Sequence, residues 1–481
     1  MSRRAPDWAV LSLLCLGQLM VVLDLSIVNV ALPQIRDSLG FSEVDLQWVV
    51  NAYAITFCGF LLFGGRAADV FGRRRLFVIG LTLFTVASLV GALAQNQETL
   101  IAARVAQGLG GAILSPATLT LVNTTFTEPP RRAKAMAAWS AVAGGGAALG
   151  SALGGVLTDL INWRWILLVN VPIGIIAVLA AFMLLGESRA ENRKMRLDLP
   201  GSALVTAGLA AVVYGLVNTA GYGWGSANAL VPLIGGVLLL VWFVVHEAAV
   251  AKEPLMPLRF FRSRSVTVAN LTMFWLGCAV IAHFYFLSLY MQNVLHYSPL
   301  EAGLAFLPGA AMMTVGAYSG PAAMKRVGIR PLVIVGPVIA GAGLLWLTRV
   351  PQDGSFVADL LFPMILVTFG TGLAMMPIAF TATAGIPQEQ AGLASGLINT
   401  TRQIGGAIGL AVLATIAASR TTSVLNGGAD SVGALVSGYR LAFLVGAIFA
   451  VLAVLTALAT PGPEPMPQAV PEPVAEESVT K

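Results

Sequence analysis

The chain has 481 residues, 57% of them hydrophobic and only 11% charged, with a formal net charge of +5 and a mean hydropathy of +0.83. Soluble domains carry about 25% charged residues, so this composition excludes a soluble globular protein and predicts an all-α polytopic membrane protein. The positive charge does not call for nucleic acid, because its distribution follows the membrane, and Cys15, Cys58 and Cys278 lie in apolar runs without disulfide or metal-ligand spacing.

Windows of about 19 residues place fourteen apolar spans near 9–31, 45–65, 75–95, 98–124, 134–158, 163–185, 199–219, 229–247, 266–291, 301–324, 331–350, 357–383, 391–418 and 438–460. The first follows Arg3 and Arg4, lacks a small-residue cleavage site, and is expected to stay as a helix. It contains Asp24, the only acid well inside any span. A carboxylate at a helix centre costs roughly 2.5–3.5 kcal/mol on insertion scales, so an intramembrane acid points to function. Residues 461–481, rich in Pro, Glu and Val, are predicted to form a disordered cytoplasmic tail.

Basic residues cluster at the N-terminus and in alternate connections, at 66–75, 131–134, 189–196, 252–264 and 325–330, with Lys481 at the end. The opposite side holds Arg36, Arg164, Arg349, Arg420 and Arg440, and only Arg104 and Arg402 remain inside spans. The positive-inside rule then puts both termini in the cytoplasm.

Two echoes suggest an internal repeat. Gly146-Ala-Ala-Leu-Gly150 in the fifth span returns as Gly405-Gly-Ala-Ile-Gly409 in the thirteenth, and Gly65–Arg74 is partly repeated at Gly320–Arg330. They divide the chain into a six-helix half at 9–185, an inserted pair at 199–247 and a second six-helix half at 266–460. Related halves around a central path are the architecture of secondary transporters.

The stretch between the second and third spans, Gly65-Arg-Ala-Ala-Asp69-Val-Phe-Gly72-Arg73-Arg74-Arg75, combines glycines, an acid and basic residues. It is read as a loop whose glycines allow close helix approach and whose charges make and break contacts as the halves rock. A plain positive-inside anchor explains the arginines but neither Asp69 nor the glycine spacing. This arrangement resembles the signature loop of the major facilitator superfamily, and implies a gating role for Gly65, Asp69, Gly72, Arg73 and Arg74.

Other stretches resemble the fourteen-helix drug:proton antiporter branch of that superfamily. Leu23-Asp24-Leu-Ser26-Ile-Val-Asn29-Val-Ala-Leu-Pro33 is similar to its first-helix motif, with Ser26 where Thr is usual. Arg104-Val-Ala-Gln107-Gly108-Leu-Gly-Gly111 is similar to the fourth-helix motif, whose arginine is implicated in proton coupling. Gly146, Gly150, Gly154 and Gly155 fall in a stretch similar to the fifth-helix antiporter motif, where Ser151 replaces an expected proline. The stretches Trp163–Gly174 and Ala394–Gly406 match the same branch. The resemblance implies export of drug-like or antibiotic molecules, driven by the proton gradient without a bound cofactor.

The residues themselves allow structural and functional readings side by side. Gly146, Gly150 and Gly154 lie on one helix face and permit close packing, with or without a gating role. At ~1.5 Å per residue, Asp24 and Arg104 sit at one depth, roughly 9–10 Å below the outer surface, and are candidates for proton coupling. The arginine favours the charged carboxylate while burial favours the neutral acid; a permanent structural salt bridge is the alternative. His283, at comparable depth, and Asn29, Gln107, Asn399 and Arg402 are candidates for the substrate cavity, or equally for packing and helix-carbonyl pairing. Tyr285, Phe286 and Trp275 are candidate aromatic walls.

Proton-coupled export of amphipathic small molecules by a multi-pass monomer of the bacterial cytoplasmic membrane is therefore the leading expectation. Uptake of a small nutrient by the same fold is the alternative, with Ser151 in its favour. A membrane-embedded receptor or enzyme lacks support: no nucleotide-binding loop, metal-ligand spacing or nucleophile–base constellation is found in the sequence.

Overall fold

The computed structural model describes residues 6–186, 197–386 and 391–461. The basic cluster at 189–196 and the tail at 462–481 lie outside the described residues. Among the described residues the chain is helical, with no strand. The helices are α1 (Asp7–Leu39), α2 (Trp48–Phe71), α3 (Arg73–Ala92), α4 (Gln97–Thr125), α5 (Pro129–Leu160), α6 (Trp165–Leu168), α7 (Asn170–Leu184) and α8 (Leu199–Tyr222). They continue with α9 (Ala227–Val245), α10 (Arg264–Asn293), α11 (Pro299–Ala305), α12 (Leu307–Val327), α13 (Ile329–Leu347), α14 (Phe362–Thr383), α15 (Ala391–Asn426) and α16 (Ser431–Leu458).

Thirteen described segments are long and apolar enough to cross a bilayer, counting α6 with α7 and α11 with α12 as single paths. In α5 only the shorter stretch Leu149–Leu160 qualifies as apolar. Large apolar side chains on α7 and α9, such as Ile176, Met183, Val231 and Leu238, are exposed. In a membrane protein such surfaces face lipid, where apolar exposure carries no penalty.

Two boundaries differ from the sequence expectation. The first helix does not stop near residue 31 but runs through Pro33 to Leu39, where Gly40 ends it at φ +71°. The Gly65–Arg75 stretch is not one loop, since α2 continues to Phe71 and only Gly72, at φ +111°, breaks the path before α3. Gly328, at φ +84°, makes the matching break between α12 and α13. Polar side chains at the end of a membrane helix can reach water without breaking it, whereas this backbone conformation suits glycine.

Small residues set the helix packing. A β-carbon on Gly146 would lie 3.0 Å from Val22 Cγ1, and one on Gly150 would lie 2.8 Å from the Leu23 carbonyl, so α5 packs tightly on α1. In the second part of the chain α15 approaches α10 in the same manner, with Gly405 against the Phe274 carbonyl and Gly409 against Cys278. α8 and α9 pack on each other through Gly208, Gly215 and Gly236. α8 also rests against α2, where Gly59 meets Thr206, and against α15, where Thr415 donates to the Leu216 carbonyl at 3.2 Å.

The largest buried apolar cluster joins α1 residues Ile27, Leu32 and Ile35 to Tyr285, Phe286 and Leu289 of α10 and Leu413 of α15. Across this seam Ser288 Oγ donates to the Asn29 carbonyl and Gln292 Nε2 to the Val30 carbonyl, both at 2.9 Å. Gly155 of α5 packs against Pro299 and Leu300, and Gly303 of α11 packs against the Ser151 carbonyl. Ser151, where a proline is expected, thus sits on the seam between α5 and α11.

Candidate functional site: a buried ion pair between α1 and α4

α4 begins at Asn96, whose side chain accepts from the Thr99 amide at 2.8 Å. This cap fixes where the helix starts and so how deep Arg104 lies. Arg104 and Gln107, at i and i+3, share one helix face. Gly108 and Gly111 on the following turn let α4 press against Tyr53 and Phe57 of α2, and Gly110 lets it press against Phe84 of α3. Any larger residue there would hold the helices apart.

Within this close packing Asp24 is 0% exposed and Arg104 1%. Arg104 Nη1 donates to Asp24 Oδ2 and also to Gln107 Oε1 at 3.0 Å. Its Nε donates to the Val49 carbonyl of α2 at 2.9 Å, and its guanidinium lies over the Tyr53 ring, 4.5 Å from the centroid. The second carboxylate oxygen, Asp24 Oδ1, accepts from Gln107 Nε2 at 3.1 Å and from Asn170 Nδ2 of α7 at 3.4 Å. Gln107 Nε2 also donates to Ser88 Oγ of α3 at 2.8 Å. Three helices, α1, α4 and α7, thus meet on the carboxylate itself, and α2 and α3 join the network through Arg104 and Gln107. Desolvating two charges is tolerable only where such donors satisfy the remaining valences.

The structure brings Asp24 and Arg104 together and draws Gln107, a candidate for the substrate cavity, into the same cluster. Sequence reasoning missed Ser88, Asn170 and the Val49 carbonyl. Asn170 lies in the Trp163–Gly174 stretch and was available from it, whereas Ser88 looks like any small helix-packing residue. Tyr53 completes the wall with its hydroxyl buried and unpartnered.

The other cavity candidates are dispersed. Asn29 on α1 donates to its own helix at the Leu25 carbonyl, 3.1 Å away, and its Oδ1 has no partner. His283 on α10 is 0% exposed, with both ring nitrogens unpartnered and edge-on packing to Phe284 and Phe306. On α15, Arg402 Nη2 donates to Asn399 Oδ1 at 3.1 Å. Tyr285 and Phe286 are buried, Phe286 against Tyr439 and Phe443 of α16, and Trp275 stacks on Phe449.

The signature stretch joins three parts of the molecule. Gly65 faces Pro116 of α4, Arg74 donates to the Phe182 carbonyl of α7 at 2.9 Å, and Arg66 donates to the Glu253 carbonyl at 2.6 Å. Arg73 is engaged as well. The side chain of Asp69 lies outside the described residues.

A family model described as the Major Facilitator Superfamily matches residues 14–410. The chain is 45% identical to the cephamycin export protein of Amycolatopsis lactamdurans, over 95% of this chain and 93% of that protein. It is 41% identical to the puromycin resistance protein of Streptomyces alboniger, over 93% of this chain and 90% of that one. Among solved structures, a bacterial homologue of the human lysosomal transporter Spinster superposes with a TM-score of 0.69 at 16% identity, covering 95% of this chain and 98% of that one. Multiple apolar helices, matched small-residue packing and these relatives agree: the chain is a multi-pass membrane transporter, not an enzyme, and belongs to the major facilitator superfamily.

Proposed function

We propose that this transporter exports amphipathic, drug-like or antibiotic small molecules across the bacterial cytoplasmic membrane in exchange for protons. Export is supported by its relatives, one a cephamycin export protein and the other a puromycin resistance protein. Proton coupling is supported chiefly by the geometry at Asp24, a carboxylate withdrawn from solvent and held by Arg104, Gln107 and Asn170.

In this reading a proton arriving at Asp24 cancels its charge and releases Arg104, which keeps its bonds to Val49 and Gln107. α1 carries the consequence further, because the same helix holds the seam to α10 through Asn29 and Val30 and bears the glycine face of α5. Substrate and proton then compete for two arrangements of one bistable seam. We assign two six-helix halves, α1–α7 and α10–α16, and an inserted pair α8–α9, giving fourteen spans when α5 is counted. The matching breaks at Gly72 and Gly328 support this division. The Lys and Arg distribution supports cytoplasmic termini, and the monomer is taken as the working unit.

Cells expressing the protein should extrude a fluorescent cationic or polyaromatic dye, and an uncoupler should abolish extrusion. Extrusion at full rate without a proton gradient would sink the antiport mechanism.

A further inference from the structure

The base of the inserted pair holds a polar cluster far along the chain from Asp24. Asp198 caps α8: its Oδ1 accepts from the Gly201 amide at 2.9 Å and meets His246 Nε2 at 2.8 Å. His246 opens the π-helical turn His246–Val250 that ends α9. Glu247 follows, and its Oε2 accepts from the Met256 amide at 2.7 Å. That bond ties the turn to the connector leading to α10. Arg66 of α2 grips the same connector, donating to the Glu253 and Pro254 carbonyls.

Helix capping accounts for Asp198 Oδ1, and the connector accounts for Glu247 Oε2. Neither explains the other two oxygens. Asp198 is 7% exposed and Glu247 3%, and Asp198 Oδ2 and Glu247 Oε1 are buried without a donor. They converge on one point: a β-carbon on Gly201 would lie 2.4 Å from Asp198 Oδ2 and 2.8 Å from Glu247 Oε1. Two ionised carboxylates do not share so small a buried space, because like charges disfavour each other's ionisation. A single proton turns one oxygen into a donor and satisfies both.

We propose that Asp198 and Glu247 form a proton-binding site separate from Asp24, whose occupancy latches the inserted helix pair to the connector entering α10. Burial pushes the Asp198 carboxyl up, and the hydrogen bonds from Gly201, His246 and Glu247 together more than offset it, holding this acid below the ordinary carboxylate value. The shared proton therefore rests on Glu247. The charged and titratable groups facing the pair are His246 from the turn after α9 and Arg66 from α2, which also faces Glu253 of the connector. As pH rises the proton leaves, two carboxylates face each other, and the attraction of Arg66 is divided among three acids. The latch is closed when protonated and loosens on deprotonation.

The full-length protein in lipid nanodiscs tests this without any transport measurement. Infrared difference spectra recorded as pH is raised should show loss of a buried protonated-carboxyl band. That band should be absent in Glu247→Gln and retained in Asp24→Asn. Met256→Cys, in a background with the three native cysteines replaced, should label faster as pH rises. Glu247→Gln, whose amide can donate to Asp198, should remove that pH dependence. Asp198→Asn, whose carbonyl still caps α8, is the second variant and should behave alike. Wild-type pH dependence of both band and labelling in either folded variant would overturn the proposal.

Discussion

Arg104 of α4 donates to Asp24 of α1 with the two side chains 2% and 0% exposed. Neither charge has water to fall back on, so the pair is stable only as a pair. Removing one partner of a buried ion pair costs about 3–5 kcal/mol, because the other charge is left uncompensated. Asp24→Ala should therefore lower the thermal stability of the purified protein by about that amount, and Asp24→Asn by less, since its amide oxygen still accepts from Arg104. Equal stability of Asp24→Ala and wild type would show that water reaches the site.

Arg104 also bonds Val49 and lies over Tyr53, which a lysine cannot reproduce while reaching Asp24. A planar fork and a point charge are not interchangeable. Arg104→Lys should reach the membrane in normal amounts, lose about 1.5–3 kcal/mol for the missing charged hydrogen bond, and extrude dye poorly. Wild-type extrusion by this variant would reduce Arg104 to a bare counter-charge.

Adjacent glycines on α15 give a control on packing. A β-carbon at Gly405 would lie 2.2 Å from the Phe274 carbonyl, whereas one at Gly406 meets nothing within 4 Å. Overpacking costs about 1–3 kcal/mol, while a helical Gly→Ala in open space stabilises by about 0.4–1 kcal/mol. Gly405→Ala should unfold at a lower temperature than wild type, and Gly406→Ala at the same or a higher one. The reverse order would contradict the α10–α15 interface described here.

The seam between α1 and α10 should respond to small losses. Ser288→Ala and Gln292→Ala each remove one hydrogen bond across the seam, worth about 0.5–1.5 kcal/mol, and either one also removes the bond between Gln292 Nε2 and Ser288 Oγ. If the seam opens in the transport cycle, the double variant should populate the open arrangement more. Spin labels at Asp37 and Leu304, both exposed, should then report a larger long-distance fraction. An unchanged distance distribution would mean that these bonds do not hold the seam.

Much of the fold could be read from apolar runs and glycine spacing, because lipid forces every backbone group to be satisfied within helices. Their common depth made Asp24 and Arg104 candidates for a pair, and the structure joins them. The other side-chain partners were not legible. Gln107 was a cavity candidate on polarity, and its bonds to Arg104 and Asp24 could not be read from that. Ser88 and Asn170 belong to the site through helices that the sequence does not order around α1. The charges at Arg66 and Asp69 suggested a loop, but a helix end can carry them past the bilayer, and the break waits for Gly72. Asp198 and Glu247 sat at the margins of spans, where acids usually face water; only the packing of α8, α9 and the connector shows them facing each other.

The most direct test measures proton and substrate movement together in proteoliposomes carrying wild type or Asp24→Asn. Substrate should drive proton movement in the opposite direction in wild type, and both should be lost in Asp24→Asn while the variant stays folded. Coupled proton movement at the wild-type rate in Asp24→Asn would place the coupling site elsewhere and contradict the account.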